Sequence, residues 1–177
     1  MNGRTIWITG LSGAGKSTIA RALVSRLREA DPTVVSLDGD ELREVLGQAA
    51  VNGDDHGRAQ RIELAMRYSR LCLLLSRQGF TVVIATISMF HEVQAWNRAN
   101  LPGYVEIYLK VPLDELRRRD PKGLYRRHAA GEVRNVAGLD FAVDEPIAPD
   151  ILVEFEADHI HDDAVDHVLR HLTRDRN

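Results

Sequence analysis

Apolar positions follow two rhythms along the chain. Short runs read as strands: RTIWIT (Arg4 to Thr9), VVSL (Val34 to Leu37), FTVVIAT (Phe80 to Thr86), YVEIYLKV (Tyr104 to Val111) and DILVE (Asp150 to Glu154). FTVVIAT is apolar almost throughout, the pattern of a strand buried on both faces. Between the runs the spacing becomes helical. In Lys16 to Ala30, the residues Ile19, Ala20, Leu23, Val24 and Leu27 share one stripe, and Asp31-Pro32 stops the helix. Further helices are expected over Glu41 to Leu46, Arg58 to Gln78 (capped by Gly79), Phe90 to Ala99 and Leu113 to Arg119. A last one, His161 to Thr173, turns Ala164, Val165, Val168, Leu169 and Leu172 inward. Val51 to Gly57 is a polar loop. Lys122 to Pro149 has no clean period and is rich in Gly, Arg and Asp, which suits a mobile segment over a substrate.

Strands alternating with helices predict an α/β fold, a three-layer α/β/α sandwich around a five-stranded, mostly parallel sheet. Such sheets bind ligands beyond the carboxyl ends of their strands. Three loops fall there: Gly10 to Ser17, Asp38 to Asp40 and Thr86 to His91. The 177 residues suit a single domain, with residues 121–149 as its lid.

The first of these loops reads GLSGAGKST, Gly10 to Thr18. It fits G-x-x-x-x-G-K-[ST], and a strand precedes it and a helix follows it. Glycines let the backbone turn tightly and aim its N–H groups at phosphate oxygens. The helix N-terminus adds positive potential. Gly10, Leu11, Ser12, Gly13, Ala14, Gly15, Lys16, Ser17 and Thr18 are therefore expected to hold ATP. Lys16 would reach the outer phosphates and Ser17 would ligate Mg²⁺. No guanine-reading Asn-Lys-x-Asp occurs, which argues against a switch GTPase, and the small size favours a small-molecule kinase.

The second loop is Asp38-Gly39-Asp40, with Arg43 one turn on. Transfer of a phosphoryl group to a hydroxyl needs a carboxylate for the proton and cations for the acceptor. Asp38 can support the metal while Asp40 meets the acceptor. Asp40 before Glu41-Leu42 also has the character of a helix N-cap, and so does Ser88 before the helix at Phe90.

Composition narrows the field. Charged residues make up 28% and the net charge is −3, so neither a general nucleic-acid binder nor a binder of anionic membranes is expected. The single cysteine, Cys72 in LCLLL, cannot pair within the chain and reads as a buried thiol, which fits a reducing cytoplasm. The opening MNGRTIWITG has no long apolar core, so no secretory leader is expected. His167 and His171 have zinc-capable spacing but sit in a charge-rich terminal helix, where a solvated face is the better reading. Arg117 and Arg118 read the same way.

GLSGAGKST, LDGDELR, the ATIS stretch and above all RDPKGLYRR (Arg119 to Arg127) resemble the adenylylsulfate kinase family, from about Ile6 to Val153. The resemblance implies transfer of the γ-phosphate of MgATP to the ribose 3′-hydroxyl of adenosine 5′-phosphosulfate, a small-molecule nucleotide acceptor. It implies Asp40 at the acceptor hydroxyl and Arg43 and Arg61 on the acceptor's anionic end. It places Ile87 and Ser88 in the active-site stretch, and Lys122 and Leu124 in the lid. Arg119 would lie against the ATP adenine. A homodimer is compatible with such a domain.

The sequence departs from the family pattern on the acceptor side. Leu64 stands where an asparagine is usual, and no aromatic occurs in Val51 to Gly57. Val136 replaces a lid phenylalanine. Ile87-Ser88-Met89-Phe90-His91 lacks the family's proline and arginine. Base–aromatic stacking contributes about 1–3 kcal/mol per base, so lost rings weaken a purine site unless Phe90 or Phe141 substitutes. FHEVQAWNRANLPGYVEIYL and RNVAGLD resemble a branch of the family that acts on cytidine diphosphoramidate. Two acceptors thus stay open, as does a regulatory protein that only holds or slowly hydrolyses ATP.

Overall fold

Thr5–Thr9, β1, is buried at all five positions and lies at the centre of the sheet. Its alternation divides the core in two. Ile6 and Ile8 face one layer of helices and Trp7 faces the other. The computed structural model describes residues 3–46, 57–155 and 162–174. After β1 come α1 (Lys16–Arg28), β2 (Val34–Asp38), α2 (Gly39–Val45), α3 (Arg58–Arg77), β3 (Thr81–Ala85) and α4 (His91–Asn100). There follow β4 (Tyr104–Lys110), α5 (Leu113–Arg119), α6 (Leu124–Ala129), β5 (Ile151–Glu154) and α7 (Asp162–Arg174).

The strand order is β2-β3-β1-β4-β5, and every pairing is parallel. That order requires a helix at each crossover, which covers both faces of the sheet. Ile6 and Ile8 pack with Ile19, Leu23 and Val24 of α1 and with Val165 and Val168 of α7. Trp7 packs with Tyr68 and Cys72 of α3 and Val93 of α4. Burial pushes the Cys72 thiol up to about 12, so it stays a neutral packing group. Among the described residues no helix is long and apolar enough to cross a membrane.

One expectation changes. Residues 122–149 are not structureless, because α6 forms within them. Its start is organised by Asp120, whose carboxylate accepts the N–H groups of Tyr125 (3.1 Å) and Arg126 (3.0 Å). A second turn follows, in which Asp140 accepts the N–H groups of Asn135 (2.9 Å) and Val136 (2.7 Å). Six residues of helix closed by side-chain acceptors leave no apolar period to read. The polar loop at residues 51–56 and His161 lie outside the described residues.

Candidate active site

Register brings the three predicted loops together. Asp38 pairs with Ala85, and Ala85 pairs with Ile8, so β2, β3 and β1 end at one level. The loop after β1 then wraps above that edge. Gly10, Gly13 and Gly15 have φ of 151°, 80° and 94°. A Cβ at Gly10 would lie 2.7 Å from the Leu109 carbonyl oxygen, so only glycine fits there. Gly15 starts α1 without a side-chain cap, which leaves the first helical N–H groups for an anion. Tyr125 of α6 donates to the Ser12 carbonyl at 2.8 Å and ties α6 to the loop. Leu11 is half-buried against Gly138, where an added Cβ would meet its side chain at 2.7 Å.

Lys16 Nζ donates to the Leu11 carbonyl at 2.8 Å. Burial of the ammonium pulls its pKa down to about 8, partly opposed by Asp40 and reinforced by Lys122. Ser17 Oγ donates to Asp38 Oδ2 at 2.6 Å. The other Asp38 oxygen accepts the Asp40 N–H at 2.9 Å. Asp38, not Asp40, is therefore the N-cap of α2. The strand ends one residue before the helix, so the aspartate in extended conformation takes the cap and Asp40 enters the first turn.

Asp40 is thereby left for other partners. Lys122 Nζ donates to its Oδ2, and Arg43 lies 3.3 Å from its Oδ1. Partial burial opposes ionisation. The Lys122 hydrogen bond and the charges of Lys122, Arg43 and Lys16 outweigh it and hold the carboxyl below the usual range. A carboxylate, two lysines and an arginine thus share one spot beside the phosphate loop. A hydroxyl meeting that carboxylate could lose its proton there while cations surround the transferred group.

Arg61 on α3 donates to the Asn135 carbonyl at 2.6 Å, and its guanidinium lies over the Phe141 ring, 4.0 Å from the centroid. Phe141 in turn meets Phe90 edge-on, with centroids 6.4 Å apart. Burial, then the charge of Arg43, lowers the Arg61 pKa. Val136, by contrast, is only 4% exposed and packs into the core with Tyr125 and Leu116.

Ser88 does not cap α4. Phe90 is the N-cap and offers no side-chain bond; the Asp144 carboxylate accepts the His91 N–H at 3.1 Å instead. Ser88 is buried with φ 30° and pairs through Oγ with Thr86 Oγ1 at 2.8 Å. The Ile87 carbonyl accepts a hydrogen bond from Thr9. Thr18 is exposed at the start of α1, and Leu124 is half-buried at the start of α6. Arg119 is largely covered: it pairs with Glu115 at 2.7 Å, reaches the Gly13 carbonyl at 3.5 Å and lies over Phe155 at 4.8 Å. That holds it at the phosphate loop, while Arg117 and Arg118 are exposed as expected.

Three participants show their contacts only in the fold. Tyr125 lies inside RDPKGLYRR but shows its role only through Ser12. Arg58 joins Asp144 to Glu92 of α4. Phe141 is named from the sequence only as a substitute ring for a base; its place under the Arg61 guanidinium shows only in the fold.

Comparison with known proteins agrees with this geometry. The family model for adenylylsulphate kinase matches residues 2–154. A cytidine diphosphoramidate kinase from Campylobacter jejuni is 38% identical over 167 residues, 94% of this chain and 95% of that one. An adenylyl-sulfate kinase from Gloeothece citriformis is 37% identical over 170 residues, 96% of this chain and 94% of that one. The APS kinase of Mycobacterium tuberculosis, solved in complex with AMPPNP and APS, superposes with a TM-score of 0.83 at 35% identity, covering 97% of this chain and 98% of that one. With the phosphate loop, the paired carboxylates and these matches in agreement, the chain belongs to the adenylylsulphate kinase family, an ATP-using family of phosphotransferases.

Proposed function

We propose that this enzyme transfers the γ-phosphate of ATP to the ribose 3′-hydroxyl of a nucleotide anhydride. The observation that carries the reading is the Asp40 carboxylate, free of any capping duty and held between Lys122 and Arg43 within reach of Lys16's field. Asp40 takes the proton of the 3′-hydroxyl as that oxygen bonds to the γ-phosphorus and the bond to the β-phosphate oxygen breaks. Lys16 and Lys122 offset the charge that develops on the moving group. Arg43 and Arg61 hold the acceptor's anionic end, and Ile87 and Ser88 line its side of the cleft. The loop from Gly10 to Thr18 holds ATP, with Arg119 on the adenine side. Ser17 and Asp38 fit Mg²⁺: a hydroxyl and a carboxylate stand 2.6 Å apart at the loop. Bound there, the metal would offset negative charge on the phosphates. Residues 121–149, Leu124 included, act as a lid that excludes water.

Adenosine 5′-phosphosulfate is the family acceptor and the first one we propose. Cytidine diphosphoramidate is a second, favoured by the burial of Val136, which leaves no ring at that point of the lid for a purine. Its support is also the likeness to the Campylobacter jejuni kinase. We place the enzyme in the cytoplasm and take a homodimer as its assembly, checked by light scattering. A coupled ADP-release assay with adenosine 5′-phosphosulfate, cytidine diphosphoramidate and CDP decides the acceptor. Turnover that ignores all three would remove the kinase reading.

A further inference from the structure

We infer that Phe141 is a positioning residue: its ring fixes the Arg61 guanidinium so that the free part of the fork meets an anionic group of the acceptor. The inference rests on the nucleotide-anhydride reading above. On the same helix, Arg58 pairs with Glu92 and Asp144, and Arg67 pairs with Glu63 at 2.6 Å. Arg61 has no such carboxylate within ion-pair distance among the described residues. It is half-buried and close enough to Arg43 for the two charges to repel; the Asp140 carboxylate opposes that repulsion from a distance, as the last and smallest of the influences on it. A cation in that setting must be held by something. A carboxylate would hold it but cancel its charge. A ring and a carbonyl hold it and leave the charge for a ligand.

The holder is itself rigid. Phe141 N–H donates to the Val136 carbonyl at 3.2 Å, and Gly138 N–H donates to the Phe141 carbonyl at 3.0 Å. Asp140 closes the same turn onto Asn135 and Val136, and His128 meets Asp140 at 3.2 Å. Phe90 braces the far edge of the ring at an interplanar angle of 88°. One turn of the lid segment therefore grips both faces of the problem: the Asn135 carbonyl takes one N–H, and the ring takes the plane.

The test is a double-mutant cycle of Phe141→Leu and Arg61→Lys, read as steady-state kinetics on both acceptors. Phe141→Leu should raise the acceptor KM about 3- to 30-fold for the adenosine and the cytidine compound alike. The kcat and the KM for ATP should stay within about twofold. Phe141→Tyr should retain wild-type values. In the Arg61→Lys background, Phe141→Leu should add nothing. Additive effects, or a loss confined to one base, would overturn the inference, the latter by making Phe141 a base platform. So would an unchanged acceptor KM. Should the wild type phosphorylate neither acceptor, the reading under Proposed function fails on its own, and the stack is judged by NMR. The Arg61 Nε–H signal should be ring-current shifted, should lose that shift in Phe141→Leu, and should move on adding pyrophosphate. An unshifted signal, or one blind to pyrophosphate, overturns the inference in that case too.

Discussion

Lys122 and Asp40 lie 82 positions apart in the chain and form an ion pair beside the phosphate loop. The pair puts Lys122 on the carboxylate that receives the acceptor hydroxyl in the proposed reaction. It also explains why Asp40 stays ionised although burial opposes charge.

Asp40→Asn keeps the size and removes the proton acceptor. Acceptor phosphorylation should fall by about 10²- to 10⁴-fold, the usual contribution of a positioned base. ATP affinity, measured by fluorescent-nucleotide displacement, should hold. An ATP-binding regulatory protein would show slow, acceptor-independent turnover that this substitution leaves unchanged.

The pH dependence follows from Lys16. Its pKa is pulled from 10.5 to about 8, so the free enzyme loses that charge as pH rises through about 8. The ratio kcat/KM for ATP should be level up to that point and then decline, since it reports groups of the free enzyme. Stability moves the other way. Between about 8 and 10.5 the unfolded chain binds the extra proton, so unfolding free energy should rise with pH across that window. Lys16→Met should flatten both curves.

Asp38 has two separable duties. Asparagine caps helices as well as aspartate, and alanine does not. Asp38→Asn should therefore melt near the wild-type temperature, while Asp38→Ala should lose about 0.5–2 kcal/mol in urea unfolding. Both should raise the Mg²⁺ concentration for half-maximal activity, because both remove the charge beside Ser17. Equal Mg²⁺ response in all three proteins would take Asp38 out of the metal site.

Gly39→Ala pits helix propensity against contact. In an open helix the change stabilises by about 1 kcal/mol. Here the new Cβ would lie 2.9 Å from Thr86 Oγ1, whose partner is Ser88 Oγ. We expect a net loss of stability and a raised acceptor KM. A gain in melting temperature with unchanged kinetics would show that Thr86 and Ser88 move aside freely.

Val136→Phe would restore the family's lid residue in name only. Val136 is buried, so the larger ring overpacks the core at a cost of about 1–3 kcal/mol. Adenosine 5′-phosphosulfate should be used no better, and the melting temperature should fall.

The alternation of short apolar runs with helical stripes already determined the five parallel strands, and the loop from Gly10 to Thr18 declared its phosphate chemistry through glycine spacing and Lys16. Both signals are local: a period, a backbone turn and a helix end lie within a few neighbouring residues. The cap was different. Asp38 and Asp40 both suit it by residue type, and only the point where β2 stops against β3 chose between them. Ser88 looked like a cap for the same reason, but the His91 N–H is taken by Asp144, 53 positions along the chain from His91. Lys122 on Asp40, Tyr125 on Ser12 and Phe141 under Arg61 are meetings of distant segments, made by crossovers and a folded lid turn. No period or motif encodes such distances; they exist once the sheet has set its register and the segment after β4 has folded back over the strand ends.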